Sequence, residues 1–295
     1  MRSPESDGIR AMQLTAVQRP RPVQVIAVTG GKGGVGKTSV SVNLAAALGA
    51  AGRRVMLFDG DLGLANVDVF LGLSPRYTMA HVLAGERSLD EVVLDAPQGF
   101  KVVPGASGIA SLASLGATEH LALVQGFSAL ATQLDTLIVD TAAGISHGVL
   151  QFSQAAQQVL VVVCDEPASM TDAYALVKVL SRSHGVRHFR VLANMIRQRG
   201  AGEALYRNLE RVTARFLDVA LEFAGEVPED PCVKRAIREQ RTVLDSFPSS
   251  PAARAFKNLA TRVDKWPVPD APRGNVEFFV ERLVARREAT LRVVR

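Results

Sequence analysis

One glycine-rich segment constrains the fold of this 295-residue chain more than any other feature. Residues 31–38 read G-K-G-G-V-G-K-T, which fits the spacing G-x-x-x-x-G-K-[ST]. An apolar, β-branched run precedes the segment, and a helical pattern follows it. A strand, a glycine-rich loop and a helix in this order favour a loop whose backbone N–H groups surround phosphate oxygens. The pattern therefore predicts a P-loop nucleotide-binding domain.

The residue types of the loop predict a bound triphosphate with magnesium. Lys37 is expected to reach the β- and γ-phosphates, and the Thr38 hydroxyl is expected to ligate Mg²⁺. The N-terminus of the following helix adds positive potential. The predicted nucleotide contacts in the loop are Gly31, Lys32, Gly33, Gly34, Val35, Gly36, Lys37, Thr38 and Ser39.

A dinucleotide-binding loop is the competing interpretation. Gly31, Gly33 and Gly36 also satisfy G-x-G-x-x-G, and Asp59 lies about 20 residues further on, where such folds hold the ribose. The Lys-Thr pair directly after the last glycine favours a triphosphate instead. Asp140, at the end of the apolar run L-I-V-D-T, supports this choice because it occupies the position of a Walker B carboxylate beside Mg²⁺.

Short β-branched runs alternate with helical patterns along the chain, which is typical of a doubly wound α/β fold. We predict a mainly parallel, seven-stranded sheet with helices on both faces. The strands are predicted at 23–29, 55–59, 100–103, 136–140, 159–164, 189–194 and 221–227. Helices are predicted at 37–51, 120–134, 170–183, 203–216, 231–240 and 252–263.

The chain divides into four predicted parts. Residues 1–22 are expected to form a flexible segment, and residues 23–266 the ATPase domain. Residues 267–274 contain three prolines and predict a stiff linker. Residues 275–295 predict an amphipathic helix, with an apolar stripe of Val276, Phe279, Val280, Leu283, Val284 and Leu291. Arginines beside the stripe suit an anionic membrane surface, whereas the alternative is that the stripe packs back on the protein.

Composition excludes several classes of protein. The longest apolar run, at 159–164, is far shorter than the roughly 20 residues that span a membrane, and no signal peptide is recognisable. Cys164 and Cys232 are the only cysteines, so a disulfide framework is not expected and the pattern suits the cytoplasm. The net charge of +5 is scattered, and direct nucleic-acid binding is not expected.

Lys32, the second residue of the glycine-rich segment, makes that segment resemble the deviant Walker A motif of the MinD/ParA family. In that family this lysine crosses a dimer interface to the nucleotide of the other subunit. The resemblance implies an ATP-dependent homodimer, slow regulatory hydrolysis and Mg²⁺ as cofactor. It places Lys32 with Lys37 and Asp61 in the catalytic set.

Residues at the ends of two predicted strands, 55–59 and 136–140, extend this resemblance. Asp59-Gly60-Asp61 resembles the first switch, in which Asp61 orients the attacking water and Asp59 lies near the metal with Thr38 and Asp140. Residues 140–145, D-T-A-A-G-I, resemble the second switch. The simpler alternative for an aspartate after a strand is a helix cap or a turn.

The adenine contacts implied by the resemblance are Asn194, Pro228, Glu229, Asp230 and Val233. Asn194 ends a predicted strand, and the other four belong to the segment that closes over the base. An asparagine at a strand end also shapes turns, so a structural role is the alternative.

Residues 22–284 most resemble the flagellar-number regulators of the family, through strings such as D-L-G-L-A-N-V-D-V and C-D-E-P-A-S-M-T-D-A-Y-A-L. This implies antagonism of the flagellar activator FleQ and peripheral association with the inner membrane at the cell pole. Stimulation of the GTPase FlhF is weakly supported, because only Asp7, Leu14 and G-I-R at 8–10 resemble the N-terminal motif. The alternative function is a ParA-type partition ATPase that binds DNA nonspecifically. An iron-protein reductase is excluded because no cysteine lies between positions 140 and 150.

Overall fold

The structure is a computed structural model that describes residues 23–106, 126–269 and 277–279, together with positions 116, 119, 123 and 124. The strands are β1 Gln24–Thr29, β2 Val55–Asp59, β3 Leu94–Asp95, β4 Lys101–Val103, β5 Thr136–Asp140, β6 Gln158–Val163, β7 His188–Ile196 and β8 Ala220–Pro228. The helices are α1 Lys37–Ala50, α2 Val67–Leu71, α3 Met79–Leu83, α4 His147–Ala155, α5 Pro167–His184, α6 Ala201–Phe216, α7 Pro231–Arg238, α8 Val243–Ser246 and α9 Pro251–Val263. Two 3₁₀ helices span Asp90–Val92 and Phe127–Gln133.

The strands form one sheet in the order β3-β4-β2-β5-β1-β6-β7-β8. Every pairing is parallel except that between β3 and β4, which is antiparallel. After β1 the chain moves to one side of the sheet, and β6 lies on the other side. The carboxyl end of β1 is therefore a topological switch point, where doubly wound sheets bind their ligands.

Helices cover both faces of the sheet because each central strand is apolar on both sides. Helices α1, α7, α8 and α9 pack on one face, with Phe256 and Leu44 in that core. Helices α4, α5 and α6 pack on the other face. No helix in the described part of the chain is long and apolar enough to cross a membrane.

The prediction of a seven-stranded sheet was wrong by one strand. The additional strand, β3, is only two residues long, so it has no detectable period in the sequence. It pairs with β4 through a tight turn in which Ala96 N–H donates to Phe100 O at 2.8 Å. Within the helix predicted at 120–134, the described positions 123, 124 and 126 are α-helical, and Phe127–Gln133 form a 3₁₀ helix. The other positions before Phe127 lie outside the described residues.

Three residues beyond the predicted linker are described, and they form a turn rather than the start of the predicted helix. Phe278 and Phe279 are 0% and 1% exposed, and Phe279 has a left-handed backbone with φ of 58°. Phe278 N–H donates to Ala155 O at 3.2 Å, at the end of α4. The rest of the predicted helix and the N-terminal segment at 1–22 lie outside the described residues.

Candidate nucleotide-binding site

The glycine-rich loop joins β1 to α1 at the switch point, as the sequence predicts. Gly34 and Gly36 have φ angles of 81° and 88°, a conformation that side chains other than glycine rarely adopt. A Cβ at Gly36 would collide with Asn194 Nδ2, and one at Gly31 would collide with the backbone of Asp172. The space beside Gly33 and Gly34 is open, so the loop presents accessible backbone there.

Lys37 is the first residue of α1 and is 9% exposed. Its Nζ lies 3.5 Å from the Lys32 carbonyl oxygen, within the curve of the loop. Burial lowers the pKa of Lys37, and the nearby carboxylates of Asp140 and Asp61 partly oppose this shift. A buried ammonium without a carboxylate in contact is well suited to a phosphate ligand.

Asp140 organises the start of α1 from the end of β5. Its two carboxylate oxygens accept hydrogen bonds from Thr38 Oγ1 at 2.6 Å and from Ser41 Oγ at 2.9 Å. Asp140 is 2% exposed, and this burial raises its pKa to about 6. The Thr38 hydroxyl and the Asp140 carboxylate therefore form an oxygen-rich group beside the phosphate loop.

Asp59 lies next to Asp140 across the β2–β5 pairing. Its carboxylate accepts backbone N–H groups from Asn66 at 2.8 Å, Val67 at 2.9 Å and Asp61 at 3.2 Å. Burial and the neighbouring Asp140 raise the pKa of Asp59 to about 8. Asp59 thus holds the first switch and the start of α2 in place, which is the capping role that the sequence raised as the simpler alternative.

The first switch presents Asp61 and an exposed leucine. The Asp61 carboxylate accepts the Leu64 N–H at 3.1 Å, and Asp61 itself is half-buried. Leu64 is 70% exposed. The Asp61 carboxylate is also close enough to Lys37 to oppose the lowering of the Lys37 pKa.

The second switch rests against the phosphate loop through its backbone. Gly144 N–H donates to Gly30 O at 3.1 Å, and Thr141 N–H donates to Val28 O at 3.1 Å. Gly144 has φ of 90°, and the next residue, Ile145, is 51% exposed. The two switch loops and the phosphate loop therefore meet at one edge of the sheet.

Lys32 forms an ion pair with Glu166, at the start of α5. The lysine and glutamate side chains are 35% and 55% exposed. The hydrogen bond that Lys32 donates to Glu166 raises the pKa of Lys32 and lowers the pKa of Glu166. Glu166 was not among the predicted site residues, although it lies in the short loop between β6 and α5, after the carboxyl end of a central strand.

The predicted adenine residues lie at the ends of β7 and β8. Asn194 is 6% exposed and donates through Nδ2 to Val35 O at 2.9 Å, which joins β7 to the phosphate loop. Pro228 ends β8, and Val233 packs against the core.

Glu229 and Asp230 have partners within the protein. Glu229 pairs with Arg197 at 2.8 Å. Asp230 caps two helices, because it accepts Cys232 N–H at 2.9 Å and Ala252 N–H at 3.0 Å. Asp230 is therefore a helix-capping residue, a role that the sequence analysis did not predict for it.

Two more residues at the site were missed by the sequence reasoning. Ser41 is fully buried, and its hydroxyl donates to the same Asp140 carboxylate as Thr38 does. Ser41 lies one helical turn after Thr38, and this spacing could have predicted that both hydroxyls face the same group. Asp172 packs its backbone against Gly31, and no sequence pattern predicts that contact. Both depend on which elements the fold brings together.

The residues present fit a magnesium nucleotide. Mg²⁺ prefers oxygen ligands and is commonly held by one or two protein oxygens together with phosphates. Thr38 and Asp140 supply such oxygens within 2.6 Å of each other. The open loop backbone at Gly33 and Gly34 and the buried Lys37 ammonium suit the phosphates. Fold and site together define a P-loop nucleotide-binding protein.

Comparison with known proteins identifies the family to which the chain belongs. Residues 26–243 match the family described as the CobQ/CobB/MinD/ParA nucleotide binding domain. The chain belongs to this family, and within it to the MinD-like proteins. It is 58% identical over 263 residues to the antiactivator FleN of Pseudomonas aeruginosa, covering 89% of this chain and 94% of the relative.

Two further relatives agree with this placement. The flagellum site-determining protein YlxH of Helicobacter pylori is 33% identical over 236 residues, covering 80% of both chains. The structure of the septum site-determining protein MinD of Pyrococcus horikoshii, complexed with Mg-ADP, has a TM-score of 0.69 and 26% identity. That match covers 82% of this chain and 96% of the other.

Proposed function

We propose that this protein is an ATP-dependent, dimerising ATPase that limits the number of flagella and antagonises the transcription activator FleQ. The observation that carries the proposal is its 58% identity, over 89% of the chain, to a protein named antiactivator FleN. The similarity to a flagellum site-determining protein supports the flagellar assignment. The geometry of the site supports the use of ATP.

The roles proposed at the site follow from its contacts. Lys37 and the loop backbone bind the β- and γ-phosphates. Thr38 ligates Mg²⁺, and Asp140 holds the Thr38 hydroxyl at 2.6 Å and supplies negative charge beside the metal. Because the Asp59 carboxylate already accepts three backbone N–H groups, we assign it to positioning the first switch near the metal.

Asp61 is proposed to orient the attacking water. Its carboxylate makes one hydrogen bond to its own loop, at 3.1 Å to Leu64 N–H, so it keeps capacity to accept a proton or a water hydrogen bond. Slow turnover is expected, because a regulatory switch must persist in its ATP form long enough to be read by a partner.

Dimerisation is proposed to involve Lys32 and both switches. Lys32 is exposed enough to exchange Glu166 for a phosphate of a second subunit, since both partners of the ion pair contact solvent. Leu64 and Ile145 are large apolar side chains, 70% and 51% exposed, on the two switch loops. Burying them against a second copy would remove apolar surface from water.

The test compares oligomeric state and nucleotide binding in matched lysine variants. Size-exclusion chromatography with light scattering is run with ADP and with ATP. The parent is expected to be monomeric with ADP and dimeric with ATP. Lys37→Ala is expected to lose ATP binding, whereas Lys32→Ala binds ATP with nearly unchanged affinity but stays monomeric. Lys234→Ala, an exposed lysine on α7, is the control and should behave as the parent does.

Three outcomes would contradict parts of the proposal. Equal loss of ATP binding in Lys32→Ala and Lys37→Ala would remove the role of Lys32 across the interface. Inhibition of FleQ ATPase activity that is the same with ADP and ATP would separate FleQ control from the nucleotide switch. Salt-sensitive binding to random DNA would instead favour a partition ATPase.

A further inference from the structure

A cavity of about 520 Å³ lies at the β8 edge of the sheet, between the start of α6 and the exposed side of α9. None of its lining residues belongs to the phosphate loop, to either switch or to the predicted adenine segment at 228–233. Its volume falls in the range of about 300–1,000 Å³ that is typical of small-molecule sites. The cavity is therefore separate from the nucleotide site and large enough for a ligand of its own.

A β-bulge shapes the wall of this cavity. Val191 pairs with Phe223, but the next residue of β7, Leu192, pairs with Gly225, so Ala224 is an extra residue in β8. Gly225 has φ of 141°, a conformation essentially restricted to glycine. Bulges at sheet edges redirect groups on the strand, and here the Ala224 carbonyl accepts Arg262 Nη1 at 3.0 Å.

Three arginines line the cavity. Arg254, Asn258 and Arg262 follow each other at intervals of four residues, so they share one face of α9. Arg199 faces them from the loop before α6. Among the residues that the structure describes, none of the three arginines has a carboxylate within ion-pair distance.

The two acidic residues of the cavity have other partners. Glu226 accepts the N–H groups of Gly200 at 3.3 Å and Gly202 at 3.1 Å, and so caps the start of α6. Glu203 forms an ion pair with Arg207, one turn further along α6. The cavity therefore contains three guanidinium groups and two carboxylates, and among the described residues neither carboxylate forms an ion pair with any of the three arginines.

The chemistry of the arginines and of the apolar side chains indicates which class of ligand the cavity would bind. Guanidinium groups match phosphate through paired N–H donors, and three of them around one space favour a ligand with at least two negative charges. Phe223 is half-buried and adds apolar surface beside the arginines, with the buried Leu192 and Leu259 behind it, which suits the carbon skeleton of an organic molecule. We propose that this cavity binds a small organic phosphate, with the phosphate on the arginines and the organic part against Phe223.

The test uses the full-length protein with its nucleotide site saturated by Mg-ADP. Isothermal titration calorimetry with ribose 5-phosphate is expected to give saturable binding of one molecule per chain. Inorganic phosphate should bind several-fold more weakly, because it lacks the organic part. Arg254→Gln should weaken ribose 5-phosphate binding about tenfold, and Arg254→Gln with Arg262→Gln should abolish it.

Matched variants separate binding from folding. Arg211→Gln changes an exposed arginine of α6 outside the cavity and should leave the affinity within twofold of the parent. Within the described part of the chain the Arg254 side chain forms no hydrogen bond, so Arg254→Gln should keep the parent's thermal unfolding midpoint. Arg262, in contrast, also anchors β8 through Ala224 O. Arg254→Lys keeps the charge without the paired donors and should lie between parent and glutamine variant.

Three results would overturn the proposal. One is the absence of saturable ribose 5-phosphate binding to the parent. A second is equal affinity for ribose 5-phosphate in the parent and Arg254→Gln, which would place the ligand elsewhere. The third is tighter, arginine-dependent binding of a short random DNA duplex, which would make the cavity part of a nucleic-acid surface.

Discussion

Asp59 and Asp140 end neighbouring strands and are 1% and 2% exposed. The Asp59 carboxylate accepts hydrogen bonds from backbone N–H groups, and the Asp140 carboxylate accepts them from two hydroxyl groups. Even so, burial of two carboxyl groups side by side raises the pKa of Asp59 to about 8 and that of Asp140 to about 6. A cation bound beside the two carboxyl groups would favour the ionised form of both.

The pKa of Asp59 predicts a pH dependence of stability in the protein without nucleotide. A carboxyl group whose pKa is raised on folding binds more protons in the native than in the unfolded state. The free energy of unfolding should therefore fall as the pH rises from about 5 to 8, by about 1.4 kcal/mol per pH unit at the acid end of this range and by about half as much near pH 8. Urea denaturation at several pH values measures the slope. Asp59→Asn should flatten it, and an unchanged slope in that variant would show that other groups titrate.

Asp61 offers a test of hydrolysis separate from binding. Asp61→Ala removes the carboxylate proposed to orient water and leaves Lys37, Thr38 and Asp140 in place. The variant is expected to bind ATP and dimerise, with the turnover rate lowered about 100-fold or more. Phosphate release measures the rate, and Asp90→Ala, an exposed aspartate outside the site, is the control. Parent-like turnover in Asp61→Ala would assign the water to another group.

At the scale of the elements, the described residues beyond the linker pack beneath the first switch. The Phe278 ring lies 5.4 Å from that of Phe127 and 6.5 Å from that of Phe152, and both of those rings contact Phe58, which precedes Asp59. The short segment Glu277 to Phe279 is thus part of the core under the site.

Phe278→Ala tests how strongly this segment is attached. Truncating a buried phenylalanine commonly costs about 3–5 kcal/mol, but a segment near the chain end can detach without global unfolding. A loss of about 2 kcal/mol in the free energy of unfolding is therefore expected, measured by urea denaturation. Phe216→Ala is the matched control, because Phe216 is 55% exposed and should lose less than about 1 kcal/mol. Equal losses in the two variants would mean that the segment contributes nothing.

At the scale of the whole molecule, the sequence beyond Phe279 predicts recruitment to anionic membranes. The apolar stripe with flanking arginines is expected to bind liposomes that contain anionic lipid, and more strongly with ATP than with ADP. Co-sedimentation measures the bound fraction. Deleting residues 280–295 should abolish binding while it spares the buried Phe278 and Phe279. Binding that survives the deletion would exclude the helix as the anchor, and equal binding with both nucleotides would exclude nucleotide control.

The sequence predicted the strands of the central sheet to within two residues at each end, because long apolar runs bounded by turn residues have few other structures available. It missed β3 and the short helices α2, α3 and α8, whose two to five residues are too few to show a period. It also missed the nine-residue helix α4. The phosphate loop could be predicted because its motif consists of consecutive residues, so the whole pattern is visible in the sequence.

What the sequence by itself determined is local: the phosphate loop, the strands that end in Asp59 and Asp140, and the family to which these patterns belong. Only the tertiary structure decided the long-range contacts, such as Lys32 with Glu166, 134 residues apart, and Asn194 with Val35, 159 residues apart. The same holds for the three arginines around the β8 cavity, which come from a loop and a distant helix. Local patterns fix the backbone geometry of each element, whereas contacts between elements depend on how the elements pack, and no spacing along the chain records that packing.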